Sequence, residues 1–495
     1  MRHCCLGFAL LLFAMLGVAA PLPVATPESE GISSEKLADA LQAIERAGWP
    51  VDSVLLMRRG RVVLDAYVYP FAPGMLHDLR SVTKSHTTTL LGMALQANKI
   101  KALGDKLLGF FPGKPLGQPD PRKQAITLGQ LADMRSGLEW DEAGYRPDSS
   151  LARMLASSDP TGFVLALPME AAPGEAFSYN GGNMNLLADL LAQRWGEPLD
   201  AVAGRLLFAP LGIADYYWWR NPQGQAQGEA GLFLAPQDMA RMGQFWLSDG
   251  VLNGERVLPE GWTGRLLQEV LPAYGGLGYR RGFWINRERT QFLANGRHGQ
   301  FIVVEPGRQV VAVITAKFPE DQIMPDVASL LFAAIEREQA LPENLPAQAR
   351  LGALMRRLAS EPASQLPEPA RGAKWRDRLY RLPAEPAGIR AFRLKQNPAD
   401  PGSLLWEVDW AGGTRSWQVG MDGRFRLQDD HYFGRATRLA LRGRWVDEQT
   451  LELETQYPEG SMRWLYRLAF AGSKVALTVR DNQNWSLSAQ GELAR

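Results

Sequence analysis

The order of hydrophobic patterns along the 495-residue chain constrains its fold more than any single motif. An amphipathic helical pattern at Ser33 to Ala47 is followed by two strand-like runs, Ser53 to Arg58 and Arg61 to Tyr69. Helical patterns then alternate with polar loops from Ser81 to about Gln268. Strand patterns return at Gly278 to Asn286, Gln291 to Asn295, Gln300 to Val304 and Gln309 to Ala316. Strands at both ends with helices between them predict an α/β (α+β) fold, with one antiparallel sheet flanked by helices.

The last third of the chain changes character. A helical pattern at Asp321 to Gln339 is followed by residues 341–372, which are rich in Pro, Ala and Arg and typical of a linker, with a short helical pattern at Ala349 to Leu358. Short alternating runs then occur at Leu404 to Trp410, Arg415 to Gly420, Leu439 to Trp445, Thr450 to Thr455, Arg463 to Phe470 and Val475 to Val479. These runs predict a small β-barrel or sandwich at 373–495, after a first domain at 26–340.

The first twenty residues have the three parts of a secretory signal. Arg2 precedes an apolar run from Leu6 to Leu16, and small residues follow as far as Ala20. The apolar run is shorter than the ~20 residues that a membrane-spanning helix needs. The sequence therefore predicts export with cleavage, a periplasmic or secreted location and no stable membrane span afterwards; an uncleaved anchor is the alternative. Both cysteines, Cys4 and Cys5, precede the run, so we expect a mature chain without thiols.

Charge and motif content narrow the range of partners. Lys and Arg number 54 against 53 Asp and Glu, a balance that gives no basic field for nucleic acid. The five histidines are scattered without metal-ligand spacing, and the sequence contains no Gly-rich phosphate loop followed by Lys-Ser or Lys-Thr. The sequence therefore predicts no metal, cofactor or nucleic acid, and a small, neutral molecule fits best as substrate. It gives no indication of the oligomeric state.

Ser81 and Lys84 form an S-x-x-K motif at the start of a predicted helix. Residues three apart lie on one face of a helix, so the lysine amine can reach the serine oxygen and accept its proton. At the helix start, the dipole stabilises developing negative charge by ~0.3–1 kcal/mol. Ser33 and Lys36 have the same spacing, where we expect a capping serine and a solvated lysine. By itself, the Ser81 motif is equally compatible with a helix cap.

A second candidate group is Tyr179, within a Gly-rich loop between Pro173 and Gly182. The loop precedes a helical run, so it can present the tyrosine into a cleft. A phenol beside a lysine can have a lowered pKa and serve as the base or proton shuttle for a serine. The alternative is an ordinary packed tyrosine.

A third element lies between two late strand runs, from Gly296 to Gln300. Glycines allow a substrate to approach the backbone, and an edge strand can donate an oxyanion hydrogen bond alongside the Ser81 N–H. Loss of one such donor typically costs ~2.7–4 kcal/mol of transition-state stabilisation. The alternative is a turn that happens to contain a histidine.

Serine, lysine and tyrosine motifs in this order, followed by a glycine-containing late strand, resemble the β-lactamase-like serine hydrolases. The resemblance extends from about Glu28 to Ala340 and covers a family of class C β-lactamases, DD-peptidases, esterases and 6-aminohexanoate-dimer hydrolases. It is greatest for the last branch, through shared motifs at Ser136-Gly137-Leu138, Trp140-Asp141-Glu142, Pro173-Gly174, Pro210-Leu211-Gly212, Asp238-Met239-Ala240-Arg241 and Gly296 to Gln300.

The resemblance implies a role for each candidate residue. Ser81 would be the nucleophile, Lys84 its activator and Tyr179 the third catalytic group, which hydrolyse a small ester, amide or lactam through an acyl-enzyme. The residues implied on the oxyanion and substrate side are His298, Gly299, Gln300, Asn180 and Tyr145, the last matching a loop tyrosine that contacts substrate in the dimer-hydrolase branch.

Two departures from the β-lactamase pattern bear on the substrate. The residue two after the tyrosine is Gly181 instead of asparagine, and Arg297 stands where the third motif begins with lysine. Both changes affect groups that hold a lactam, so we expect poor β-lactam turnover. A penicillin-binding type of protein that acylates slowly, with little turnover, is the alternative function.

Two other sequence features bear on this interpretation. The sequence contains no G-x-S-x-G elbow, which argues against an α/β-hydrolase. The C-terminal third carries tryptophans that can line a ligand groove, although a stripe of aromatic residues in a small barrel usually forms core. These tryptophans are Trp406, Trp410, Trp417 and Trp464.

Overall fold

The computed structural model describes residues 21–143, 146–320, 326–365, 372–383, 388–410 and 412–494. The predicted signal at 1–20 and the candidate residue Tyr145 lie outside the described residues. Over the described ranges, no helix has the length and apolar character needed to cross a membrane.

Strands from both ends of the first 320 residues meet in one sheet. In chain order the strands are β1 (Val51–Arg58), β2 (Arg61–Tyr67), β3 (His77–Asp78), β4 (Tyr217–Trp218), β5 (Leu232–Leu234), β6 (Val251–Leu252), β7 (Glu255–Arg256), β8 (Leu271–Pro272), β9 (Gly278–Arg280), β10 (Phe283–Ile285), β11 (Phe292–Gly296), β12 (Gln300–Glu305) and β13 (Val310–Ala316). Among the described residues, eight of them form an antiparallel sheet in the order β2-β1-β13-β12-β11-β10-β9-β8. The early strand β1 pairs with the late strand β13, so the predicted antiparallel sheet is confirmed.

Helices cover both faces of this sheet. They are α1 (Ser34–Arg46), α2 (Val82–Gln96), α3 (Leu128–Ala132), α4 (Ser150–Ala156), α5 (Pro160–Ala166), α6 (Gly181–Trp195), α7 (Leu199–Ala203), α8 (Pro236–Leu247), α9 (Val327–Phe332) and α10 (Leu345–Ala359). Alternate residues of β1 enter two separate cores, with Leu55 in the core beneath α2, α6 and α8 and Leu56 in the core beneath α1, α9 and α10. We call this unit, between residues 21 and 359, the sheet-and-helix region.

Helix α2 lies in the middle of its core. Its residues from Val82 to Ala94 are all buried. Its buried hydroxyl groups donate to backbone carbonyls of neighbouring segments, from Thr87 to Gly228 at 2.8 Å and from Ser85 to Gly282 at 2.6 Å. These bonds satisfy polar groups that would otherwise be costly to bury, and they fix the helix that begins directly after Ser81.

Three elements differ from the sequence prediction. The run Gly278 to Asn286 is not one strand: it folds into β9 and β10, because Arg281 and Gly282 adopt positive φ values of 49° and 84° in a tight turn. The helix predicted at Asp321 to Gln339 is described only as α9. The short helical pattern in the predicted linker extends to the whole of α10, which packs on α1 through an apolar face that includes Leu351 and Leu354.

The C-terminal part of the chain forms a barrel. Its strands are β14 (Leu379–Arg381), β15 (Ile389–Gln396), β16 (Ser403–Trp410), β17 (Gly413–Gly420), β18 (Arg426–Tyr432), β19 (Arg435–Trp445), β20 (Thr450–Gln456), β21 (Arg463–Ala471), β22 (Lys474–Asp481) and β23 (Ser486–Leu493). Pairing of β17 with β19 at Gly420 and Arg442 closes nine of the described strands into a barrel, and β18 pairs with β19 outside the closure. The predicted small β-barrel is confirmed, although β14, β15, β18 and β23 were missed.

One end of the barrel packs against the sheet-and-helix region. The carbonyl of Glu459 accepts a hydrogen bond from the Asp78 N–H at 2.8 Å, and the carbonyl of Phe433 accepts one from the Tyr217 hydroxyl at 2.7 Å. The amine of the buried Lys317 lies 2.5 Å from Asp52 and 3.3 Å from the carbonyl of Pro458. The barrel is therefore docked on the segment that leads into α2.

Candidate active site

Ser81 and Lys84 meet at the N-terminus of α2. Ser81 is the N-cap residue, yet among the described residues its hydroxyl makes no capping bond. Instead, the Lys84 Nζ donates a hydrogen bond to the Ser81 Oγ at 2.9 Å. The hydroxyl is thus positioned for proton exchange with the amine instead of serving the helix backbone.

The Lys84 amine is buried and has three acceptors. Besides Ser81, it donates to Glu142 Oε1 at 3.2 Å and to the backbone carbonyl of Glu229 at 3.0 Å. Burial acts to lower the pKa of this amine, but electrostatic interactions with Tyr179 and with the Glu142 carboxylate outweigh burial and raise its pKa above the usual value. Lys84 is therefore an ammonium group in the resting site at neutral pH.

Glu142 is a site residue whose role the sequence did not reveal. Its Oε2 accepts hydrogen bonds from the Trp140 indole N–H at 2.5 Å and from the Gly181 N–H at 2.9 Å, while Oε1 faces Lys84. Both oxygens therefore have donors, which keeps the carboxylate in place against the amine. Trp140-Asp141-Glu142 was visible as a motif, but its spacing gave no indication that the carboxylate reaches the lysine.

Tyr179 completes the group from the loop before α6. Its ring centroid lies 4.8 Å from the Lys84 Nζ, and the ring packs against Trp284 at 5.5 Å between centroids. Burial raises the pKa of the phenol more than the charge of Lys84 and hydrogen bonds with Ser81 and Lys84 lower it. The predicted lowering of this pKa is therefore wrong: the resting group is a neutral phenol, because burial and Glu142 both oppose its ionisation.

The turn between β11 and β12 lies against the residues that precede Ser81. A Cβ atom on Gly296 would come within 2.3 Å of the Leu79 carbonyl oxygen, so only glycine permits this approach. His298 and Gly299 follow with positive φ values of 69° and 99°. The His298 Nδ1 lies 2.9 Å from the Phe318 carbonyl, and burial, followed by the charge of Arg80, lowers the pKa of this imidazole to about 3. His298 is therefore neutral.

Two predicted substrate residues have side chains that serve the fold. The Gln300 amide donates to the Ala316 carbonyl at 2.6 Å and accepts from the Ala316 N–H at 3.3 Å, so it links β12 to β13. The fully buried Asn180 caps α6 by accepting from the Asn183 N–H at 3.0 Å. The Gln300 amide and the Asn180 oxygen are therefore engaged with the backbone, while the Asn180 amide nitrogen is buried without a partner among the described residues. The assignment of both residues to the substrate side stays a prediction.

Residues of the barrel hold the segment before the nucleophile. Arg80, which has a positive φ of 48°, forms an ion pair with Asp78 at 2.9 Å. Its guanidinium donates to the Tyr432 hydroxyl at 3.0 Å and to the Ser461 Oγ at 2.5 Å, and Tyr432 donates in turn to Asp78 at 3.1 Å. The sequence gave no signal for these contacts, because Tyr432 and Ser461 each lie more than 350 residues from Arg80 in the chain.

A second buried carboxyl adjoins the lysine. Burial raises the pKa of Glu229 to about 7, while Lys84 lowers it and Glu142 raises it. Over the ranges that the structure describes, no three His, Cys, Asp or Glu side chains are grouped so that they can hold a metal ion. Lys84, Tyr179, Glu142 and Glu229 thus place several groups that can exchange protons close to the Ser81 hydroxyl.

Comparisons with known proteins agree with this arrangement. A family model described as Beta-lactamase matches residues 36–333. The 6-aminohexanoate-dimer hydrolase of Paenarthrobacter ureafaciens is 24% identical over 344 residues, which cover 62% of this chain and 85% of that protein. The D-alanyl-D-alanine-carboxypeptidase/endopeptidase AmpH of Escherichia coli (strain K12) is 26% identical over 188 residues, which cover 34% of this chain and 48% of that protein.

A solved structure shares the fold of the sheet-and-helix region. EstCE1, described as a hydrolase with promiscuous acyltransferase activity, superposes with a TM-score of 0.52 at 16% sequence identity. The superposition covers 61% of this chain and 99% of EstCE1. The likeness supports the fold alone.

Proposed function

The chain belongs to the beta-lactamase family and is a hydrolase, and we propose that it cleaves small esters or amides through an acyl-enzyme on Ser81. The observation that carries the proposal is the hydrogen bond of 2.9 Å between the buried Lys84 Nζ and the Ser81 Oγ. Two relatives are named as a 6-aminohexanoate-dimer hydrolase and a D-alanyl-D-alanine-carboxypeptidase/endopeptidase, activities that cleave amide bonds. An acyl group transferred to Ser81 accounts for both substrate types.

The base for Ser81 is a coupled pair of groups. Lys84 and Tyr179 each have a raised pKa, so the resting site holds an ammonium and a phenol. When this pair loses one proton, the remaining basic atom can accept the Ser81 proton as Oγ attacks the carbonyl carbon. The pair then returns that proton to the leaving alcohol or amine. A water molecule, activated in the same way, hydrolyses the ester on Ser81 and regenerates the hydroxyl.

The oxyanion side is proposed at the N-terminus of α2. The Ser81 N–H points from a helix start, where the backbone favours negative charge. The first residue of β12, Gln300, is proposed to supply the second N–H, which is supported by the close packing of Gly296 on Leu79. In this proposal the His298 to Gln300 segment acts through its backbone, since the Gln300 side chain is engaged elsewhere. Tyr145 remains proposed as a substrate contact.

Poor β-lactam turnover stays part of the proposal. Arg297 stands at the start of the third motif, and its guanidinium pairs with Glu320 at 2.8 Å. A cation that is already paired is a weaker site for the carboxylate of a lactam than a free lysine. The main alternative, a protein that acylates slowly and turns over little, predicts a burst of product without a steady state on esters and lactams alike.

Acylation can be tested directly with a fluorophosphonate probe and intact-mass measurement. We expect one adduct per chain in the wild type, none in Ser81→Ala, and an undiminished adduct in Ser33→Ala, whose serine shares the motif spacing. An adduct that persists in Ser81→Ala would refute the assignment. Steady-state rates on ester, amide and lactam panels then separate turnover from slow acylation.

Export is proposed on the predicted signal alone. Expression with the native N-terminus in a Gram-negative host should give a mature chain in the periplasm that lacks Cys4 and Cys5. An intact mass that includes the first twenty residues would contradict cleavage.

A further inference from the structure

The two ends of the β-barrel are filled differently. At the end away from the sheet-and-helix region, aromatic side chains close the lumen: Trp375 stacks on Phe470 at 5.1 Å between ring centroids. The Trp375 indole N–H there donates to the Glu448 carbonyl at 2.9 Å. The other end, which we call the barrel mouth, holds a cavity of about 510 Å³ instead. The barrel is thus plugged at one end and open at the other.

Aromatic side chains from several strands line the barrel mouth. The lining includes Trp406, Trp410, Trp417, Tyr457, Trp464 and Trp485. Trp406 is fully buried at the bottom, whereas 37% of Trp485 is exposed at the top. Trp406 belongs to the barrel core, as expected, and Trp410 and Trp417 pack against that core, but all three also line the cavity. The size of the cavity suits a small organic molecule.

Hydrogen-bond donors in this wall have no acceptor. Within the part of the chain that the structure describes, the indole N–H groups of Trp406 and Trp410 are buried without a partner. Native proteins rarely leave buried donors unpaired, and such groups point to a ligand that supplies the acceptor. By contrast, the indole N–H of Trp375 at the plugged end donates to the Glu448 carbonyl.

A cation stands at the rim of the mouth. Arg415 is 61% exposed and forms a long ion pair with Asp430, at 3.6 Å, which is beyond hydrogen-bond distance. Asp430 is itself held by the Tyr457 hydroxyl at 2.9 Å. Apolar walls, unpaired N–H donors and a cation therefore converge on one cavity. This combination suits an aromatic or alicyclic body that carries an anionic acceptor such as a carboxylate or sulfonate.

The mouth opens at the end of the barrel that faces the nucleophile. Tyr457, in its wall, lies 4.8 Å from Tyr432 between ring centroids, and Tyr432 bonds to both Arg80 and Asp78. We propose that the barrel mouth is a second binding site, for small molecules with an aromatic or alicyclic body and an anionic group. The site goes beyond the proposed function, because it needs no acylation of Ser81.

Binding can be measured with 8-anilinonaphthalene-1-sulfonate, an aromatic sulfonate that fluoresces in apolar sites. The protein is the full chain carrying Ser81→Ala, so that binding is separated from catalysis. We expect saturable binding, weakened about fivefold or more by Trp485→Ala and by Arg415→Gln. Arg444→Gln, which alters a 77% exposed arginine elsewhere on the barrel, is the matched charge control and should bind like the parent.

A second measurement does not depend on any variant that could misfold. In a ¹⁵N-labelled chain, titration with the probe should shift the indole N–H signals of Trp406 and Trp410 and leave that of Trp375 in place. Near-ultraviolet circular dichroism confirms that each variant keeps its tertiary structure. Absence of binding, equal binding by the Trp485, Arg415 and Arg444 variants, or shifts confined to other tryptophans would each overturn the proposal.

Discussion

The chain carries the S-x-x-K spacing twice, and the two copies differ in the role of the serine hydroxyl and in the burial of the lysine. At the first copy, the Ser33 hydroxyl caps α1 by accepting from the Lys36 N–H at 3.3 Å, as predicted. The Lys36 amine is 53% exposed and pairs with Glu336 at the surface. At the second copy, the Ser81 hydroxyl does not cap, and the Lys84 amine is 1% exposed.

This difference shows which features give the motif its chemistry. Both serines sit at a helix N-terminus and both lysines lie one turn further on. Only at Ser81 is the amine turned inward, because Glu142 and the carbonyl of Glu229 supply acceptors inside the protein. Burial removes competing water and strengthens each of these interactions. The spacing occurs at both serines, and the buried acceptors that hold the lysine against the hydroxyl are found only at Ser81, which is why we propose it as the nucleophile.

The largest effect on acylation should come from Lys84→Ala, with Lys36→Ala as its control. Lys84→Ala removes the amine that contacts the nucleophile, so we expect acylation by the fluorophosphonate probe to slow by roughly 10³–10⁴-fold. Lys36→Ala removes a surface charge with the same motif spacing and should leave the rate unchanged. Thermal melts of both variants separate lost chemistry from lost folding. Near-wild-type acylation by a folded Lys84→Ala chain would mean that the motif is as inert at Ser81 as at Ser33.

Tyr179→Phe should have the next largest effect. The substitution keeps the ring beside Lys84 but removes the phenol from the proton relay, and we expect acylation to slow by about 10²–10³-fold. Tyr274→Phe is the control, since Tyr274 belongs to the same aromatic cluster but is 57% exposed. Equal rates for the two variants would remove Tyr179 from the mechanism and leave Lys84 as the sole base.

Much of this contrast between the two motifs could be predicted from the sequence. The rest depends on where side chains point and on contacts between distant parts of the chain. Order and spacing identified Ser81, Lys84 and Tyr179, and helical periodicity identified the cap at Ser33. Sequence position did not tell where side chains point: the Gln300 amide links two strands, and the Asn180 oxygen caps α6. The contacts of Lys84 with Glu142 and of Arg80 with the barrel join residues that are far apart in the chain. No local sequence pattern predicts such contacts.

Replacement of Glu142 tests how its charge affects the pKa values of Lys84 and Tyr179. Glu142 raises the pKa of both Lys84 and Tyr179, so Glu142→Gln should lower the pKa at which this pair loses its first proton. The basic form then appears at lower pH, and the acid limb of the acylation rate should move about one pH unit downward. Glu139→Gln, an exposed neighbour with the same charge change, should not move it. If the acid limb of the Glu142→Gln profile stays in place or moves to higher pH, then Glu142 does not raise the pKa of the Lys84–Tyr179 pair.

The residue before each serine provides the last and smallest test. Ile32 precedes Ser33 in extended pairing with Ile335, whereas Arg80 precedes Ser81 at a positive φ that its bonds to Tyr432 and Ser461 help to maintain. Tyr432→Phe removes one of these bonds and leaves the Arg80 guanidinium less well fixed. We expect acylation to slow by a few fold through kcat, with KM unchanged, because the Tyr432 hydroxyl positions the segment before Ser81 and does not touch substrate.

Tyr217→Phe is the control. It removes a different bond between the barrel and the sheet-and-helix region, the one to the Phe433 carbonyl, and should lower thermal stability without slowing acylation. If both variants lose stability alike and neither loses rate, then the barrel supports the fold and the conformation of Arg80 needs no help from it.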